Sequence, residues 1–109
     1  MKIFLALFIA FNIQLQANDF LVIDVRTSEE FKSGHIENAI NIAWQEISSL
    51  SNNIKKEEKI YLYCRSGNRS QKAREILIKL GFNNVENLGS LSDAANFLKL
   101  KVVVKENNK

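Results

Sequence analysis

The only cysteine of this 109-residue chain lies in a segment that combines a nucleophile with arginines and a tight turn. The segment runs from Ile60 to Ser70 and reads IYLYCRSGNRS. An apolar strand is predicted to end at Cys64, a polar loop containing Gly67 follows, and a helix is predicted from about Ser70. The first N–H groups of such a helix lack intrahelical acceptors and stabilise an anion in the loop. Because arginines also flank the thiol, its pKa should fall from about 8.5 toward roughly 3.5 to 7.5, which makes Cys64 a candidate thiolate nucleophile.

A buried, inert cysteine is the alternative interpretation, since free cysteine is among the most buried residue types. The residues that follow Cys64 argue against it, because an apolar pocket would not be followed directly by charged and polar side chains. Those residues are the candidate binding loop and comprise Arg65, Ser66, Gly67, Asn68, Arg69 and Ser70.

Several segments together resemble the rhodanese (thiosulfate sulfurtransferase) family. The sequence CRSGNRS from Cys64 resembles the family's active-site loop, Asp24-Val25-Arg26 resembles its D-V-R segment, and Glu30-Phe31 its E-[FY] pair. The segment from Gly34 to Ile42 resembles the family pattern GHI-x-x-A-x-N-[IV]. These segments follow the family's order from about residue 20 to residue 98. One departure is Ser90, which stands where a second glycine often follows Gly89.

The resemblance implies a sulfurtransferase that works through a covalent persulfide on Cys64. The donor would be thiosulfate or a similar small sulfur-donor anion, and the acceptor a thiol in the cell or cyanide in vitro. A protein acceptor is also possible, and neither a cofactor nor a metal is expected. Within the binding loop, Arg69 is the first candidate to bind the sulfonate of the donor and Arg65 is the second.

Two other functions use the same kind of cysteine. A phosphatase of the Cys-x5-Arg type needs its arginine six residues after the cysteine, where this chain has Ser70, and Arg69 comes one residue too early. A sulfur carrier, which would exchange its persulfide with a protein partner and turn over small donors poorly, needs the same Cys64 environment. The sequence therefore disfavours the phosphatase and leaves the carrier as the alternative to an enzyme.

Composition excludes other classes of protein. The net charge of +3 is spread along the chain, so a nucleic-acid partner has little support. One cysteine and one histidine can form neither an intramolecular disulfide nor a Cys/His zinc site. The length allows one small domain.

The N-terminus resembles a secretory signal peptide. Met1-Lys2 is a positive start, the apolar run from Ile3 to Phe11 follows, and a polar stretch ends at Ala17. The apolar run is about half of the roughly 20 residues that a membrane-spanning helix needs, so a stable membrane anchor is not expected. We therefore predict a signal peptide over residues 1–17 and a periplasmic domain over residues 18–109, with a core at about 20–98 and a tail at about 99–109.

The elements before Cys64 are predicted to place a second pair of candidates near it. The apolar run from Phe20 to Ile23 is typical of a buried parallel strand. Asp24 and Arg26 follow it, and they should share the rim of the sheet with Cys64 because parallel strands present ligand sites at their carboxyl ends. The two residues could either brace the loop by a salt bridge or contact substrate. His35 is predicted to lie in a turn and to be structural rather than a base for Cys64.

The remaining pattern alternates strands and helices and predicts a three-layer α/β/α rhodanese-like domain with a small, mostly parallel sheet. The expected helices begin at Ser28, Trp44, Ser70 and Ser92-Asp93, and the first and third end at Gly34 and Gly81. The third buries Ala73, Ile76, Leu77 and Leu80 and leaves Lys72, Arg74 and Lys79 in solvent. The other expected strands are Ala39 to Ile42 and Asn84 to Leu88, with a turn at Gly89. Lys101 to Val104 is either an edge strand or part of the tail.

Overall fold

The computed structural model describes residues 19–104, and a four-stranded parallel sheet forms its centre. The six strands in chain order are β1 (Leu21–Asp24), β2 (His35–Ile36), β3 (Ile40–Asn41), β4 (Ile60–Cys64), β5 (Val85–Ser90) and β6 (Val102–Val103). The central sheet has the order β3-β1-β4-β5 and every neighbouring pair in it is parallel. β1 and β4 occupy its middle, which explains why both are apolar runs without alternation.

Helices cover both faces of this sheet. They are α1 (Ser28–Ser33), a 3-10 helix (Trp44–Asn52), α2 (Asn68–Lys79) and α3 (Leu91–Leu98). On one face, Ile47 of the 3-10 helix and Leu77 of α2 pack with Ile23 and Leu62 of the sheet. On the other face, Ala94 of α3 packs with residues of β1, β2 and β4. The predicted α/β/α fold with a mostly parallel sheet is therefore confirmed.

The N-cap of α1 lies one residue earlier than predicted. Thr27, not Ser28, is the N-cap residue, because the Thr27 hydroxyl accepts the Glu30 N–H at 3.1 Å and the Glu30 carboxylate accepts the Thr27 N–H at 2.9 Å. This reciprocal pair is a capping box. The predicted end of the helix at Gly34 is confirmed. His35 lies in β2 rather than in a turn, and β2 pairs with β6 in an antiparallel ribbon. The edge-strand alternative for Val102–Val103 is thus the observed one.

The region after β4 also differs from expectation. β5 continues through Gly89, where a turn was predicted, and ends at Ser90 beside Cys64. α3 begins at Leu91 with Ser90 as its N-cap, so the predicted start at Ser92-Asp93 was wrong. The physical reason is a second capping box, in which the Ser90 hydroxyl accepts the Asp93 N–H at 3.1 Å. The Ser90 hydroxyl is therefore part of the cap of α3.

α2 starts at Asn68, two residues before the predicted start, and its buried stripe is narrower than predicted. Ala73 and Leu77 are fully buried, whereas Leu80 is the cap residue and is 38% exposed. Arg74, predicted to be solvated, instead donates from Nε to the Val85 carbonyl at 2.9 Å. Gly81 follows the helix with a φ of 104°, as a C′ glycine does. Within residues 19–104, no helix is long and apolar enough to cross a bilayer.

Candidate functional site

Cys64 is the last residue of β4 and lies where the central strand of the sheet meets the start of α2. Its side chain is fully buried. Only three residues separate it from Asn68, and Gly67 makes this short connection with a φ of 102°, a conformation that other residues adopt only at a cost. The carboxyl ends of parallel strands are where such sheets bind ligands, so the position matches the prediction from the sequence.

The Cys64 sulfur occupies the place that a capping side chain would take at another helix. Gly67 provides no side-chain cap for α2. Instead, the Gly67 N–H donates to Cys64 Sγ at 2.9 Å and the Ser70 N–H donates at 3.4 Å. The Ser70 hydroxyl also lies 3.3 Å from Sγ. Two of the four N–H groups that a helix leaves unpaired at its start are therefore directed at the sulfur.

The environment lowers the pKa of the Cys64 thiol. Burial is the largest single influence and raises the pKa, because it disfavours the charged thiolate. The hydrogen bonds from the Ser70 side chain and from the Ser70, Gly67 and Ser66 backbone outweigh burial and lower it. The lowered pKa agrees in direction with the sequence prediction. Its main causes, however, are hydrogen bonds within the loop and not the charge of the arginines.

Arg69 lies on the first turn of α2 and is paired with Glu30 of α1. Nη1 and Nη2 of Arg69 donate to Oε1 and Oε2 of Glu30 at 2.9 and 3.1 Å, and both side chains are partly exposed. This hydrogen bond is the main cause that lowers the pKa of Glu30 to about 2; burial opposes it, and hydrogen bonds to Thr27 assist. The sequence analysis missed the pair because 39 residues separate its members. Arg65, the second candidate, is exposed.

Asp24 and Arg26 form a buried ion pair at the end of β1. Arg26 Nη2 donates to Asp24 Oδ2 at 2.6 Å and to the Gly34 carbonyl at 2.6 Å, and the Arg26 N–H donates to Asp24 Oδ1 at 2.9 Å. The Arg26 guanidinium also lies 5.6 Å from the ring centre of Tyr63, the residue before Cys64. These contacts tie β1 to the residue after α1.

His35 makes its contacts with α1 and not with the Cys64 sulfur. Its Nδ1 lies 2.8 Å from the Phe31 carbonyl, and its ring stacks on the Phe31 ring at a centroid distance of 3.7 Å. The imidazole is buried by these contacts. The predicted structural role fits this geometry, although the histidine sits in a strand.

Asn87 of β5 is a further residue of this site that sequence reasoning missed. The Ser70 hydroxyl donates to its Oδ1 at 2.6 Å, and its Nδ2 donates to the Gly67 carbonyl at 3.1 Å. Asn87 thus contacts two of the residues that hydrogen-bond to Cys64. An asparagine in the strand next to β4, close to its carboxyl end, was the signal that could have identified it. Among the described residues, no three His, Cys, Asp or Glu side chains are grouped to hold a metal ion.

Comparison with known proteins gives a consistent picture. Residues 11–94 match the model of the rhodanese-like domain. The chain is 35% identical over 93 residues to thiosulfate sulfurtransferase PspE of Escherichia coli, which covers 84% of this chain and 88% of that protein. It is 38% identical over 96 residues to a tRNA uridine(34) hydroxylase of Wigglesworthia glossinidia brevipalpis, covering 82% of this chain but only 30% of that longer protein.

A solved structure has the same fold. A rhodanese with anions from E. coli superposes with a TM-score of 0.69 at 33% identity, over 78% of this chain and 98% of the other. The described domain therefore corresponds to nearly the whole of that protein.

Proposed function

The chain belongs to the rhodanese-like domain family, and on that basis we propose that it is a sulfurtransferase acting on thiosulfate or a similar sulfane donor. Cys64 would carry the sulfur as a persulfide and pass it to a thiophilic acceptor. The observation that supports this most directly is the buried Cys64 sulfur receiving N–H donors from Gly67 and Ser70.

In the first half-reaction, the Cys64 thiolate attacks the outer sulfur of thiosulfate. A new S–S bond forms to Sγ, the S–S bond of thiosulfate breaks, and sulfite leaves with the electron pair. The product is a persulfide whose outer sulfur carries the negative charge. The lowered pKa of the thiol increases the fraction of thiolate, which favours attack without a general base.

In the second half-reaction, the acceptor attacks the outer sulfur of the persulfide and Cys64 leaves as a thiolate. With cyanide the product is thiocyanate, and with a thiol it is a new persulfide. The N–H groups of Asn68 and Arg69 also belong to the first turn of α2, where helix geometry leaves them without intrahelical acceptors. They are suited to hold the outer sulfur, as preorganised donors do for developing charge.

The loop side chains provide the binding of the donor. We assign the sulfonate to Arg69, whose guanidinium is held in place by Glu30 yet is partly exposed beside the loop. Arg65 is exposed on the same loop and is the alternative donor of a charged hydrogen bond. Ser66 and Asn68 complete the exposed part of the loop. The bound anions named for the E. coli rhodanese structure are compatible with an anion site in this fold.

A phosphatase function is less compatible with the geometry. The arginine of the Cys-x5-Arg type must reach a phosphate from the position that Ser70 occupies here. Ser70 is fully buried, and its hydroxyl contacts Cys64 Sγ and Asn87 rather than the loop opening.

We further propose that the protein acts in the periplasm after removal of residues 1–17. This rests on the sequence of the leader alone, which lies outside the described residues. The acceptor would then be a small thiol or a thiol of another protein.

Mass spectrometry tests the covalent step. Incubation with thiosulfate should leave the protein one sulfur atom heavier, and cyanide should restore the original mass and release thiocyanate. Cys64→Ser should abolish both changes, because a hydroxyl is not ionised at neutral pH. Absence of any mass gain in the wild-type protein would refute the proposal, and hydrolysis of aryl phosphates would favour the phosphatase instead.

A matched control keeps one thiol but removes it from the loop. Ser48 is exposed on the 3-10 helix, so Ser48→Cys combined with Cys64→Ser gives a protein with a single solvent-accessible thiol. This variant should not accumulate the persulfide. Rapid turnover in the wild type indicates an enzyme, whereas sluggish turnover with fast loss of the sulfur to a protein partner indicates a carrier.

A further inference from the structure

Asn87 lies at the centre of a hydrogen-bond network that reaches the Cys64 sulfur through Ser70. Its Oδ1 accepts the Ser70 hydroxyl at 2.6 Å and the Gly89 N–H at 3.0 Å. Its Nδ2 donates to the Gly67 carbonyl at 3.1 Å and lies 3.3 Å from Gln71 Oε1. The amide therefore connects β5 with Gly67 and Ser70, two of the residues that hydrogen-bond to Cys64.

The orientation of the Asn87 amide follows from two partners whose roles are invariant. The Gly89 N–H can only donate, so the amide atom 3.0 Å away must be the oxygen. The Gly67 carbonyl can only accept, so the atom 3.1 Å from it must be the nitrogen. A flipped amide would place donor against donor and acceptor against acceptor.

This orientation determines where the Ser70 hydroxyl proton lies. Asn87 Oδ1 has no proton, so at 2.6 Å the single proton of the Ser70 hydroxyl must point at it. Ser70 Oγ then offers only lone pairs to Cys64 Sγ at 3.3 Å. Lone pairs suit a neutral thiol, which can donate its S–H. The hydrogen bond from Ser70 that lowers the pKa of Cys64 requires the hydroxyl proton to turn toward Sγ.

The hydroxyl can change partners without leaving a buried group unpaired. If the Ser70 proton rotates toward Sγ, Asn87 Oδ1 keeps the Gly89 N–H and Nδ2 keeps the Gly67 carbonyl. Cys64 Sγ keeps the Gly67 and Ser70 N–H donors in either arrangement. The Ser70 hydroxyl only exchanges one acceptor, the neutral Asn87 Oδ1, for another, the Cys64 thiolate.

We propose that Asn87 is a positioning residue that holds the Ser70 hydroxyl proton while Cys64 is a thiol and yields it when Cys64 becomes a thiolate. By competing for this proton, Asn87 sets the fraction of Cys64 that is reactive. Its use in catalysis rests on the proposed sulfur transfer, whereas its effect on the thiol does not.

The charged and titratable groups already present around the loop are kept in every variant that tests this proposal, and only Asn87→Asp adds a further charge. They include Asp24 at the end of β1, Arg26 after it, Glu30 of α1, Tyr63 of β4, Arg65 of the loop, Arg69 of α2, Glu86 of β5 and Asp93 of α3. Their contribution is therefore common to every protein compared.

The test is the rate of alkylation of Cys64 by iodoacetamide as a function of pH. Cys64 is the only cysteine of the chain, so the pH dependence of the rate reports its pKa, and the measurement requires no sulfur donor. Asn87→Ala should lower the pKa by about half a unit to one unit, because the Ser70 proton is then free for the thiolate. Below the pKa, alkylation should become about 3- to 10-fold faster. The exposed Asn96→Ala is the control and should show no change.

Ser70→Ala identifies the route of the effect. This variant removes the proton that changes partners, so its Cys64 pKa should exceed that of the wild type. Adding Asn87→Ala to Ser70→Ala should then change nothing further. An unchanged or raised pKa in Asn87→Ala, or an equal fall in the Ser70→Ala background, would show that Asn87 only braces the loop and would overturn the proposal.

A second substitution covers the case in which Asn87→Ala does not fold. Asn87→Asp keeps the acceptor and adds negative charge, so it should raise the Cys64 pKa, and the rise should be smaller when Ser70→Ala is also present. Equal rises in both backgrounds would mean that charge alone acts and would contradict the proposal. Because alkylation and persulfide formation are measured separately, failure of either hypothesis leaves the other readable.

Discussion

α2 and α3 begin in opposite ways, although both follow a strand of the same sheet. At α3, the Ser90 hydroxyl accepts the Asp93 N–H and the Asp93 carboxylate accepts the Ser90 N–H, so the helix closes its own end. At α2, Gly67 has no capping side chain, and N–H groups at the helix start donate to Cys64 Sγ. The unpaired N–H groups are thus satisfied by the helix's own cap at α3 and by the Cys64 sulfur at α2.

α1 shows how a capped helix contributes to the uncapped one. Its capping box joins Thr27 and Glu30, as Ser90 and Asp93 are joined at α3. Glu30 has a second role, because its carboxylate also binds the Arg69 guanidinium on α2. α1 therefore holds the Arg69 side chain of α2 in place.

The largest effect is expected from a substitution of Gly67, the N-cap residue of α2 that has no capping side chain. Gly67→Ala places a β-carbon at a φ of 102°, which should cost about 1–2 kcal/mol of unfolding free energy and displace the Gly67 N–H from the sulfur. Loss of one preorganised donor should lower kcat/KM for thiosulfate by about 10² or more. Gly81→Ala is the matched control, since Gly81 has a φ of 104° at the far end of α2. It should lose similar stability in urea denaturation but keep wild-type kinetics; equal kinetic losses in both variants would contradict the prediction.

A smaller effect is expected from a substitution of Arg69, on the first turn of α2. Arg69→Ala should lower kcat/KM for thiosulfate by about 10- to 100-fold, because a charge-assisted hydrogen bond to the donor is lost. Its stability should fall by less than about 1 kcal/mol, as for other partly exposed ion pairs. Arg74→Ala removes the same charge from the same helix and should leave the donor kinetics unchanged. If Arg69→Ala retains wild-type kinetics, the sulfonate is bound by Arg65 or by the backbone alone.

The smallest effect is expected from a substitution of Glu30 in α1, and it is an effect on stability that depends on pH. The pKa of Glu30 is lowered from 4.5 to about 2, so its contribution to stability is complete above about pH 4.5 and is lost as the pH falls toward 2. We expect Glu30→Gln to be less stable than the wild type by at most about 1 kcal/mol at neutral pH. Urea denaturation at neutral and acidic pH should show this difference shrinking in acid. A difference that does not depend on pH would contradict the assigned ion pair.

The sequence predicted the parts of the fold that depend on local pattern. The apolar runs predicted β1 and β4, and the position of Gly67 predicted a tight connection into α2. Predictions failed where two local signals competed, as at Thr27 and Ser28, which are both capable N-cap residues. At Gly89 a glycine signalled a turn, yet its strand continues beside Cys64. Pairing with a neighbouring strand decides whether a strand continues through a glycine, and this pairing cannot be read from the few residues around that glycine.

By itself, the sequence indicated the candidate nucleophile, Cys64, and the polar loop that follows it. Cys64 ends an apolar run and is followed by RSGNRS, a pattern that predicts a connection from a strand to a helix. The N–H groups of Gly67 and Ser70, which donate to its sulfur, lie only three and six residues further along the chain. Only the tertiary structure decided which distant side chains act on this loop. Glu30 binds Arg69 across 39 residues and Asn87 binds Ser70 across 17. Contacts at such separations depend on strand order and helix placement, which the packing of the whole sheet determines.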